Sequence, residues 1–135
     1  MIRSGYERKV LLAVRAGHID PRLLVTARNL CQRMGAGLEI LLLGASDELP
    51  AEVANLVKTL MEDGVAYSLT RKSTLRRRDI VNYANTHECI TSVVIDSLEG
   101  WESVAADRAS DPWAKLACPL VTAVPANTTR TPPSA

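Results

Sequence analysis

The sequence predicts an α/β fold in which parallel strands are joined by right-handed helical crossovers. Three observations carry this. Short β-branched or leucine-rich runs alternate with stretches whose apolar residues recur at helical spacing. Several of those runs are apolar on both faces, as central strands covered by helices must be. At 135 residues and 47% hydrophobic composition, the chain suits a single domain large enough to bury one core without staples.

The elements follow in order. VLLAV, Val10 to Val14, is the first strand. Asp20 then Pro21 supply an N-cap and a first-turn proline for a helix that turns Leu23, Leu24, Ala27, Leu30, Cys31 and Met34 inward. Gly35 or Gly37 ends it in a left-handed cap. Leu38 to Gly44 is a second buried strand. Ser46 and Asp47 open the next helix, with Leu49, Val53, Leu56, Val57, Leu60 and Met61 on its inner face and Gly64 beyond its end. VAYSLT, from Val65, alternates apolar with polar side chains, which places it at a sheet edge. RRRDIVNYA forms a helix whose core side is Leu75, Ile80, Val81 and Ala84. Thr91 to Asp96 is the fourth strand, Asp111 and Pro112 cap a further turn or two, and Pro119 to Val124 is the last strand. Residues 1–8 read as a flexible N-terminus, 9–125 as the domain, and 126–135 as a disordered tail rich in Pro and Thr.

Composition excludes several classes. Cys31, Cys89 and Cys118 are too few and too scattered for a disulfide framework, and no Cys/His spacing suggests zinc, so they are expected to be small buried hydrophobes. There is no membrane-spanning apolar run and no signal peptide, which leaves a cytoplasmic protein as the expectation. A formal net charge of +1 argues against general polyanion binding. The hydrolase motifs G-x-S-x-G and HExxH and the Walker-type phosphate loop are missing, so no enzyme is expected.

With KVLLAV leading, LEILLLG second, IVNYA before SVVID and CPLVTAV closing, residues 8 to 125 resemble the universal stress protein superfamily. CPLVTAV is the most specific piece, being similar to the Cys-Pro strand with which members commonly end. The resemblance implies a three-layer, doubly wound, Rossmann-like sheet of five parallel strands in the order 3-2-1-4-5. It also implies a homodimer through the last strand, here Leu120, Val121, Thr122, Ala123 and Val124. Many members bind ATP in the crevice where strand order reverses. Their motif is an Asp after the first strand, a G-x-x-G loop after the fourth, and then a Gly-Ser pair.

This chain departs from that motif at each point. Arg15 stands where the Asp belongs, Asp96 and Glu99 replace the two glycines, and only Gly100 remains, one residue late. No Gly-Ser pair follows. Asp96, Glu99, Glu102, Asp107 and Asp111 gather against the single Arg108. Like charges a few Å apart repel by about 1 to 4 kcal/mol, so a triphosphate is expected to be expelled and the cofactor is expected to be none. The alternative is an ATP- or AMP-binding protein, with slow ATPase activity, in which Arg15 contacts phosphate and Ser97, Gly100 and Ser103 rebuild a shortened loop.

Arg15 and Asp96 end adjacent central strands in the implied order and are expected to pair across the vacated crevice, where guanidinium suits a carboxylate. Two other roles stay open for Arg15: recognition of a small anion together with Gly17 and His18, or simple exposure. The run Arg71, Lys72, Arg76, Arg77 and Arg78 reads either as a solvated helix start or as a docking patch for an acidic partner; no aromatics interleave it, which excludes nucleic acid. Ser73 and Thr74 are its candidate caps, and His87 suits the negative end of the same helix. Trp101 and Trp113 are expected to pack over the sheet. Together these features favour a non-enzymatic regulatory module acting through homodimerisation and protein contacts. A signalling protein, a metabolic enzyme or the cytosolic face of a membrane protein would serve as partner.

Overall fold

The computed structural model describes residues 8–44, 47–98, 101–102 and 111–123. Ser46, Glu99, Gly100, Ser103, Asp107, Arg108, Val124, most of the N-terminus and the C-terminal tail lie outside them. The elements run β1 (Lys9–Arg15), α1 (Pro21–Met34), β2 (Gly37–Leu43), α2 (Ala51–Asp63), β3 (Tyr67–Lys72), α3 (Arg77–Thr86) and β4 (Ile90–Ile95). A 3-10 helix, Pro112–Lys115, then leads into β5 (Leu120–Thr122). All pairings are parallel, and the sheet order is β3-β2-β1-β4-β5. No described helix is long and apolar enough to cross a membrane.

Two cores sandwich the sheet. Val10, Leu12 and Val14 of β1 and Leu38, Ile40 and Leu42 of β2 face α1 and α2, where they meet Leu23, Ala27, Cys31, Val53, Leu56 and Leu60. Leu11, Ala13, Leu41, Val93 and Ile95 point the other way, onto Ile80, Val81 and Ala84 of α3 and onto Trp101 and Trp113. Strand alternation thus divides a continuous apolar run between two faces. One charge interrupts β2: Glu39, 7% exposed, lies 3.8 Å from Lys9 Nζ.

Local chemistry explains the helix ends. Asp20 caps α1, its carboxylate accepting the Arg22 N–H at 2.8 Å, and Gly35 closes the helix at φ 63°, where any Cβ is unfavourable. Helix α2 begins later than its sequence pattern suggests, with Pro50 and not Ser46 or Asp47 at the cap position, because a residue before proline is pushed out of the helical region. Met61 is 64% exposed. It lies in the last turn of α2 beside Tyr67, at the sheet edge, where no further described element covers it. Strand β3 starts at Tyr67 because the Val65 N–H is committed to the Leu60 carbonyl in the α2 cap. At α3, Ser73 and Thr74 are not the caps: Asp79 accepts the Arg76 N–H at 2.9 Å and sets a negative charge at the positive helix end, against Arg77 and Arg78.

Candidate functional site

The C-terminal ends of β1 and β4 are neighbours, and the residues leaving them meet. Arg15 Nη2 contacts Asp96 Oδ2 at 2.5 Å, with side chains 23% and 12% exposed. The pair is not bidentate, since Asp96 Oδ1 is already committed. It accepts the Ser97 backbone N–H at 2.7 Å and the Trp101 Nε1–H at 3.0 Å. The guanidinium also lies 5.4 Å from the Trp101 ring centroid, within cation–π range. Three side chains therefore hold one another in place, Asp96 bridging Arg15 and Trp101. Arg15 Nε is buried without a hydrogen-bond partner among the described residues, a configuration that costs about 1 to 3 kcal/mol.

The segment after β4 is tied down from outside. Arg77 donates from Nε to the Trp101 carbonyl at 2.7 Å and from its backbone N–H to the Glu102 carbonyl at 2.9 Å. Trp113 Nε1 donates to the Leu98 carbonyl at 3.4 Å. Both tryptophans are buried, Trp101 at 2% exposure.

Beside the ion pair lies an open cleft of about 510 Å³ lined by Arg15, Gly17, His18, Asp20, Asp96 and Ser97 among others. Gly17 turns the chain out of β1 at φ 86°, and the His18 N–H returns to the Arg15 carbonyl at 3.0 Å. His18 itself is exposed. The Asp20 carboxylate is held below its usual range, first by the Arg22 side chain and then by the Arg22 backbone N–H. So five of the six residues expected at the crevice do gather there, and Gly100 lies outside the described residues.

The basic run does not form one unengaged patch. Arg71 Nη1 donates to the Glu48 carbonyl at 3.1 Å, Arg76 Nε reaches Asp79 at 3.3 Å, Arg77 grips Trp101, and Arg78 is also engaged. Lys72 is exposed. At the other end of the sheet, Leu120, Val121 and Thr122 form the outer strand β5, and the Ala123 N–H bonds the Ile95 carbonyl. His87 closes α3, its Nδ1 2.6 Å from the Tyr83 carbonyl and its ring stacked on Tyr83. Burial pushes the Cys31 thiol up to about 11 and raises that of Cys118. Among the described residues no cluster of three His, Cys, Asp or Glu could hold a metal.

Sequence reasoning paired Arg15 with Asp96 but missed that Trp101 completes the group and that Arg77 holds Trp101. The only signal was an indole donor five residues beyond a carboxylate. That signal has meaning only once the loop folds back.

The order β3-β2-β1-β4-β5, with a crevice between β1 and β4, is the doubly wound architecture of universal stress proteins. A universal stress protein from Archaeoglobus fulgidus superposes with TM-score 0.50 at 14% identity, covering 84% of this chain and 97% of that one. A protein of the universal stress protein family from Burkholderia pseudomallei superposes with TM-score 0.51 at 13% identity, covering 90% and 98%. No protein-family model and no curated protein sequence matches this chain.

Proposed function

We propose that this chain is a non-enzymatic regulatory module of universal-stress type that has given up nucleotide binding and works through protein contacts, self-association at a sheet edge among them. One observation carries the reading. The crevice at the strand-order switch, where an open α/β sheet takes its ligand, holds the Arg15–Asp96 ion pair closed by the Trp101 indole. A phosphate seeking Arg15 must displace Asp96, whose carboxylate would then face the phosphate with like charge. Asp96 has nowhere to turn, since Ser97 and Trp101 hold its other oxygen.

The test is a thermal melt with and without millimolar Mg-ATP and Mg-AMP, with nucleotide analysis of the heat-extracted protein. A ligand held at a hundred times its dissociation constant adds about 2.7 kcal/mol to stability, on the order of 10 °C in Tm for a domain of this size. An unshifted melt and a nucleotide-free extract are expected. A shift of that size, or co-purifying adenine nucleotide, overturns the reading in favour of an ATP- or AMP-binding protein.

A further inference from the structure

The strand β3 is the outermost on its side of the sheet, and its backbone phase is readable from its pairing with β2. The Leu38 N–H bonds the Ala66 carbonyl and the Gly44 N–H bonds the Lys72 carbonyl. In a parallel ladder the residues that bond a given neighbour alternate, so Ala66, Ser68, Thr70 and Lys72 turn their backbone groups toward β2. Tyr67, Leu69 and Arg71 turn theirs the other way, off the sheet. Their side chains share the α1/α2 face: Leu69 packs on that core, the Tyr67 hydroxyl lies 4.0 Å from Met61 Sδ of α2, and Arg71 Nη1 is held on the Glu48 carbonyl.

This strand is complementary to itself. We propose that two copies of the chain pair antiparallel through their β3 edges, in the register centred on Leu69. In that register Leu69 faces Leu69 of the second copy, and Tyr67 faces Arg71 in both directions. Each of these pairs exchanges both N–H···O bonds. Registers centred on Ser68 or Thr70 leave Arg71 or Tyr67 opposite residues outside this set. Facing residues in an antiparallel pair lie on one face within contact distance, so each Tyr67 ring meets an Arg71 guanidinium that its own chain has already positioned. Ser68 faces Thr70 on the opposite face, a favourable hydroxyl pair. Arg71 and Lys72 are the charges that guard an edge against pairing, yet here they sit at opposite ends of the joint strand pair and never face their own kind. Tyr67 and Met61, two of the exposed large apolar side chains, flank the joint on one side. The strand β5 offers a shorter edge, Leu120–Thr122. The pairing holds whether or not the crevice binds a nucleotide.

Sedimentation of the wild type, Tyr67→Arg and Tyr67→Glu over a concentration series tests it, with circular dichroism to verify folding. Tyr67→Arg opposes two cations, and symmetry counts the pair twice, so dimer dissociation should become roughly tenfold easier. Tyr67→Glu faces Arg71 with opposite charge and should dimerise at least as well as wild type. Hydrogen exchange at the Leu69 amide should slow as concentration rises. A wild type that stays monomeric at millimolar concentration, equal dimerisation of both variants, or a Leu69 amide indifferent to concentration overturns the proposal.

Discussion

The two faces of the sheet are built by different means. One is covered by α1 and α2, of 14 and 13 residues, whose apolar stripes interlock with alternate residues of β1 and β2. Among the described residues, the other has α3, of 10 residues, and a 3-10 turn, with Trp101 and Trp113 packed against the same core. Where regular helices cover a face, each residue contributes a little and the backbone hydrogen bonds stay within the helix. Where two indoles stand in, their N–H groups need partners when buried, and Asp96 and the Leu98 carbonyl supply them. The crevice ion pair lies on the second face, where Trp101 brings a donor and an aromatic surface together.

The largest effect should come from Trp101→Ala. It empties a buried indole site and strips Asp96 of a donor and Arg15 of its ring, for a loss of about 3 to 5 kcal/mol by urea denaturation. Leu23→Ala on the opposite face should cost about 2 to 5 kcal/mol by cavity formation alone. The comparison sharpens with Trp101→Phe, which keeps most of the packing but leaves Asp96 one hydrogen bond short. If that variant is as stable as wild type, the polar closure of the second face is incidental.

Next comes the ion pair. Arg15→Met and Asp96→Asn should each cost about 1 to 3 kcal/mol, below the figure for fully buried pairs because both side chains retain some exposure. The double variant should lose less than the sum, with a coupling above about 0.5 kcal/mol. Strict additivity would show that the two groups are neighbours without mutual dependence.

Smaller effects separate the faces at their fastenings. Asn85 donates to the Lys115 carbonyl at 2.9 Å and accepts the Ala117 N–H at 2.9 Å, latching the 3-10 segment to α3. Asn85→Ala should cost about 1 kcal/mol. Asp20→Ala, at the α1 cap, should cost about the same, but with a pH signature that Asn85 lacks. The Arg22 contacts depress the folded Asp20 pKa below its ordinary, unfolded value. Its contribution is therefore present above that value and is lost as pH falls through the lower, folded one. Stability curves of wild type and Asp20→Ala should converge in acid below about pH 4. The convergence will be shallow, since the Arg22 partner is largely exposed and water screens the pair.

Smallest of all is a kinetic difference. With its thiol at about 11, Cys31 is overwhelmingly protonated at pH 8 and should resist iodoacetamide until α1 opens. Labelling as fast as in urea would show that the first face is looser than its packing implies.

Legibility followed the same division. The first face was readable because helical and strand periods repeat over many residues: Leu23, Ala27 and Cys31, or Val53, Leu56 and Leu60, announce their side by spacing alone. Met61 fits the same period and yet is exposed, since period says which way a side chain points and not whether anything lies there. Cap chemistry was readable where it is carried by short-range chemistry, as at Asp20 and Gly35. It was misread at Ser73 and Thr74, because Asp79 reaches back from inside the helix.

What the amino-acid order determined by itself was the alternation of strands and helices, the division of apolar residues between the faces, and the edge character of β3. All of these rest on interactions between residues a few positions apart. The strand order, whose identity came with the family likeness, and the Trp101–Asp96–Arg15–Arg77 assembly were decided in three dimensions. They join residues from β1, α3 and the segment after β4, and no local period records which distant donor will find a given carboxylate.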